Sequence, residues 1–94
     1  MIVSDTPTAH ARRYLQQLCK HWSHRFEVSH TEDTGQIALP MGRVSLNAGP
    51  RSLLITLEPV DGADIDKMKE VVASHIDRFA FREAPLAHDW RIAA

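Results

Sequence analysis

The sequence is short of most features that announce an activity. Its 94 residues include one cysteine, Cys19, so no internal disulfide can form. A lone thiol fits a reducing compartment. The four glycines are scattered and build no Walker loop, dinucleotide fingerprint or Gly-x-Ser-x-Gly elbow. Neither sign of charge dominates. Eleven Lys and Arg face twelve Asp and Glu, for a net charge of −1, which argues against a general nucleic-acid or anionic-membrane binder. No apolar run approaches the roughly 20 residues of a membrane span. The opening Met1-Ile2-Val3-Ser4-Asp5 is too short and too little basic for a signal peptide. The expectation is a cytoplasmic protein that binds neither membrane nor nucleic acid. It is a single domain over 1–94, with 1–5 loose.

What is present is alternation. Phe26–His30, Gly35–Leu39, Val44–Ala48 and Leu53–Leu57 carry apolar residues at every second position, as strands with one buried face do. Turn residues separate them at 31–34, 40–43 and 49–52. Opposed residues in an antiparallel pair share a face, and a one-residue slip would turn every apolar side chain to water. Even loop lengths follow. Four-residue loops predict the inward rows Phe26–Leu39–Val44–Leu57, Val28–Ile37–Leu46–Ile55 and His30–Gly35–Ala48–Leu53. The last row is thin. Either a large side chain fills that corner from elsewhere, or a pocket opens at His30, Gly35 and Ala48. The outward rows, Glu27–Ala38–Ser45–Thr56 and Ser29–Gln36–Asn47–Leu54, are small, polar and nearly uncharged. They lack the exposed aromatics on which RNA bases stack.

Two helices flank these strands. Thr6-Pro7 reads as a capping hydroxyl followed by proline at the first helical position. That helix runs to about Ser23, with Ala11, Leu15, Leu18 and Trp22 on its apolar stripe. Arg12, Arg13 and Lys20 make it locally basic. The second helix has Asp61 as its expected cap and runs to about Phe81, with Ile65, Met68, Val72, Ile76 and Phe79 facing the core. Pro85 excludes further helix, and Leu86 to Ile92 alternate as a short edge strand. Arg78 and Arg82 are expected to hold that strand through at least one carboxylate. The fold class is α+β. It is a two-layer sandwich, α-β-β-β-β-α with a short C-terminal edge strand, whose antiparallel sheet carries both helices on one face.

The blocks Lys20-His21-Trp22-Ser23-His24-Arg25-Phe26 and His75-Ile76-Asp77-Arg78-Phe79-Ala80-Phe81-Arg82-Glu83, with the closing Trp90, resemble a bacterial family catalogued as domain of unknown function 2218. The similarity runs from about Thr8 to Trp90. No biochemical activity is established for that family. The resemblance implies a fold like the C-terminal domain of phosphohexomutases, a small sheet backed by two helices, although no matching phosphate-binding loop is present. It also implies a genomic setting beside siderophore-interacting flavin reductases and iron uptake.

Six histidines are the chain's most unusual feature. His21, His24 and His75 are candidate ligands for a divalent metal if they converge. The plainer reading makes them helix-edge residues bonded to backbone or carboxylate. It is favoured because no His-x-x-x-His motif or second cysteine is present, and no cofactor is predicted. Cys19 beside His21 forms no dyad, since near-adjacent helical residues point apart. The basic helix face offers itself to an anionic partner, with a solvated face as the favoured alternative. The open sheet face, with Ala38, Ser45, Asn47, Leu54 and Thr56, is easily desolvated and suits a protein partner or a second copy of the chain. The leading expectation is an accessory binding or interaction domain in iron–siderophore handling. A small metal- or ligand-binding protein comes second and a cryptic enzyme third.

Overall fold

The computed structural model describes residues 1–93. The elements run β1 (Ile2–Pro7), α1 (Ala11–Trp22), β2 (Glu27–His30), β3 (Thr34–Leu39), β4 (Gly42–Ala48), β5 (Ser52–Pro59), α2 (Ile65–Phe79) and β6 (Trp90–Ile92). The strands form one antiparallel sheet in the order β2-β3-β4-β5-β1-β6. Both helices pack on one face, so the two-layer α+β architecture expected from the alternation is the one observed. Leu15, Leu18, Ile37, Leu46, Ile55, Met68 and Ile76 are fully buried between the layers.

Residues 2–7 are the main departure. They form β1, a strand inside the sheet, and not a loose end leading into a helix at Thr6-Pro7. Ile2, Ser4 and Thr6 point inward, and the two hydroxyls disguise the alternation. Pro7 faces Ser52 beyond the three-residue reach of β6, where no neighbouring strand needs its missing N–H. The turn into α1 uses Thr8 instead, whose Oγ1 accepts from the His10 N–H at 3.1 Å.

Register follows expectation at two hairpins and shifts at the third. Val28 faces Ile37, and Leu46 faces Ile55. Between β3 and β4, however, Leu39 faces Gly42 and Ile37 faces Val44. The loop is Pro40-Met41 alone, so the inward rows become Val28–Ile37–Val44–Leu57 and His30–Gly35–Leu46–Ile55. Gly42 permits this, since its φ is +147° and an added Cβ would lie 2.3 Å from the Glu58 carbonyl oxygen. The shift is two residues, so every side chain keeps its face. It sets Arg43 opposite Ala38, and β4, which begins earlier than expected, pairs the same Arg43 with Glu58 on its other side. With Asp5 on β1 and Arg91 on β6, the outer face is more charged than the expected rows.

Helix α2 starts three residues later than expected. Asp64 is the cap, its carboxylate accepting from the Lys67 N–H at 3.1 Å, and Gly62 turns the chain before it at φ +81°. Ile65 is consequently exposed, while Met68, Val72 and Ile76 form the buried stripe. Neither Arg78 nor Arg82 forms an ion pair among the described residues. Asp77 holds the C-terminal segment instead, accepting from the Leu86 N–H at 3.3 Å and from His88. Among the described residues no helix is long and apolar enough to cross a membrane.

Candidate functional site

A groove of about 890 Å³ runs along α1 from Ala9 to Lys20, walled by the β2–β3 and β4–β5 turns. Its helix side supplies Arg12, Arg13, Gln16, Gln17 and Lys20, and its far wall Ala48, Gly49 and Pro50. The same amphipathicity that buries Ala11, Leu15 and Leu18 places these polar residues outside. Asp33 supplies the carboxylate in the lining and meets Arg12 Nε at 2.8 Å. The lining therefore holds three basic side chains and one acid. The N-cap residue His10 makes no capping bond with its side chain, and the first turn of α1 carries no acidic residue. Positive character at this end of the helix adds to that of the side chains.

Beside the groove, Glu83 ties the chain after α2 to α1. Its carboxylate accepts from the Tyr14 hydroxyl and from Thr8 Oγ1 at 3.0 and 3.2 Å. The Tyr14 bond, with help from Thr8 and His10, holds Glu83 below the usual carboxylate range. Burial, and then Glu83 itself, pushes the Tyr14 phenol up.

A second polar array lies in the core under β1. The Asp77 carboxylate can only accept, so His88 donates to it from Nε2, at 2.9 Å. In a neutral ring this leaves Nδ1 as an acceptor for the Thr6 hydroxyl at 3.1 Å. Ser4 then donates to Thr6 at 2.9 Å and accepts from the Asp89 N–H at 2.9 Å. Hydroxyl, imidazole and carboxylate stand in the order of a hydrolase triad, but Thr6 is fully buried and no substrate reaches it. The array joins β1, α2 and the C-terminal segment. Sequence reasoning missed it, because its members come from three distant stretches without a shared motif.

The histidines named from the sequence separate. His21 and His75 come together across the helices with ring centroids 5.9 Å apart, beside Trp22 and Phe79. The Val71 carbonyl accepts from His75 Nδ1 at 2.7 Å, so Nε2 is the free position. His24 is exposed and outside this cluster, and the described residues contain no group of three or more metal-ligating side chains. In the thin row, Cys19 and Leu15 occupy the space above Gly35, with Cys19 Sγ 2.6 Å from where a Cβ would be. His30 and Gly35 border a shallow depression of about 460 Å³ with outer-face Ser45 and Asn47, whereas Ala48 lines the groove. Burial raises the Cys19 thiol to about 11, which leaves it protonated and unreactive at neutral pH. Of the open-face residues, Ala38, Asn47 and Leu54 are exposed, and Ser45 and Thr56 are partly covered.

Comparison with known proteins agrees with this architecture. No curated protein matches the chain. A Pseudomonas aeruginosa protein solved by NMR, PA4090, is similar in sequence and structure. It shares 36% identity with a TM-score of 0.79, over 98% of this chain and 95% of that one. The profile described as "Uncharacterized protein conserved in bacteria (DUF2218)" matches residues 3–91, and the chain therefore belongs to that family.

Proposed function

We propose that this protein is an accessory binding domain whose ligand is a small anion held in the groove along α1. The observation that carries this reading is the convergence of Arg12, Arg13 and Lys20 on one concavity with Asp33 as its acid. The volume falls within the range of small-molecule sites. The setting implied by the family resemblance, iron–siderophore handling in the cytoplasm, suits this chemistry, since iron chelators commonly bind through anionic oxygen. The open sheet face, on the opposite side of the sheet from both helices, is the surface left for a reductase partner or a second copy. Titrating isotope-labelled protein with citrate and ferric citrate tests the reading. Shifts and paramagnetic broadening should concentrate on the outer face of α1 from Arg12 to Lys20 and on the 31–34 and 48–51 turns, and should vanish in Arg12→Gln/Arg13→Gln. Uniform or absent changes would remove the groove as a site.

A second reading uses the imidazole pair. His75 is oriented by Val71 as metal-ligating histidines are oriented by a backbone acceptor, and His21 stands beside it. A saturable rise in melting temperature with a divalent metal, lost in both His21→Ala and His75→Ala, would favour it.

A further inference from the structure

We propose that Asp33 stands, in the free protein, where a ligand carboxylate stands in the loaded one. The ligand is then an elongated small molecule with an acid group at each end. This inference rests on the groove being the ligand site and goes on to name the ligand's chemistry.

Asp33 engages Arg12 through Nε alone, at 2.8 Å, although a guanidinium can offer a carboxylate two parallel N–H groups. The backbone of Asp33 is held independently of that pair. Its carbonyl accepts from the Ala48 N–H at 2.7 Å, and its N–H donates to Thr31 Oγ1 at 3.3 Å. The turn therefore places the carboxylate, which is able to swing away without unfolding the turn. Both partners are more than half exposed, so the pair is hydrated and readily exchanged.

The other end of the site lies along the helix. Lys20 is eight residues beyond Arg12 and seven beyond Arg13, about 10–12 Å at the rise of an α-helix. Neither Arg13 nor Lys20 meets a carboxylate among the described residues. The wall between them is neutral, with Gln17 on the helix and Ala48 and Pro50 opposite. The groove thus presents a cation, a neutral and partly apolar stretch, and a second cation. A diacid with a hydrocarbon or amide spacer complements that pattern.

A series of linear dicarboxylates from malonate to sebacate, each with its monocarboxylate control, provides the probe. Affinities read by chemical-shift titration should rise with chain length until the acids span the two cationic ends. Each monoacid should bind at least several-fold more weakly. Asp33→Asn should tighten the best diacid about threefold or more, because the internal competitor is gone. Lys20→Gln should abolish the length dependence. If the wild type binds in the groove but Asp33→Asn is no tighter, or affinity ignores length, this inference falls while the groove stands as a site. If neither the wild type nor Asp33→Asn binds any diacid there, this inference falls, and the groove falls with it when citrate also leaves the spectrum unchanged.

Discussion

The core under β1 and the groove along α1 are both rich in polar side chains, yet they are arranged on opposite principles. In the core, Asp89, Ser4, Thr6, His88 and Asp77 form a directional chain in which each donor has an acceptor. No buried side-chain nitrogen or oxygen among the described residues lacks a partner. In the groove, Arg13 and Lys20 form no ion pair among the described residues, and both are exposed. Leaving a polar group unpaired is costly only where water is excluded. The buried array is therefore a structural fastening. The groove's charges are free to act on something that arrives.

The largest effects should come from breaking the buried chain. His88→Ala leaves the buried Thr6 hydroxyl without its ring acceptor, at roughly 1–3 kcal/mol, and takes from the half-buried Asp77 one of its two partners. Thr6→Val keeps the shape but removes two bonds, and should fall in the same range by urea unfolding. A cost for His88→Ala no greater than that of a groove mutation would break the comparison.

Between the two regions lies Glu83, and its effect should be pH-dependent. Its carboxylate is held below the ordinary value, chiefly by Tyr14. The stability it contributes is present above the ordinary carboxylate value of about 4.3 and is lost as pH falls through the lowered folded one. Tyr14 is raised above its ordinary value of about 10, so its contribution is lost as pH rises through that raised folded value. Melting curves of the wild type and Tyr14→Phe should differ at neutral pH and converge in acid. A constant gap would show that Glu83 is not the partner that matters.

The smallest effects on stability belong to the groove. Arg13→Ala and Lys20→Ala should change stability by no more than about 0.5 kcal/mol, and Arg12→Ala, which loses an exposed pair, by about 0–1 kcal/mol. Denaturation midpoints close to wild type, combined with lost anion binding, would sharpen the distinction between the two regions.

Much of the architecture was legible because alternation has a strict meaning. Val28, Ile37, Val44, Leu46, Ile55 and Leu57 could face only one way, and the basic face of α1 was visible in Arg12, Arg13 and Lys20. Neither the groove nor its acid was legible, because Asp33 lies in a turn 21 residues from Arg12 and nothing local links them. The histidines drew attention by number, yet the one that ties three elements together, His88, has no ligand-like spacing to any other.

The sequence by itself determined which side of each central strand faces the core, because side chains alternate with a period of two and a slip of one residue would expose the whole apolar set. It did not determine the β3–β4 register, since loops of two and four residues preserve the same alternation. The close approach of Gly42 to the Glu58 backbone decided between them. Nor did it place β1, whose inward Ser4 falls in the segment expected to be loose and whose Thr6 reads as a helix cap. Only the tertiary structure, by bringing His88 and Asp77 within hydrogen-bonding reach, made two hydroxyls acceptable in the core.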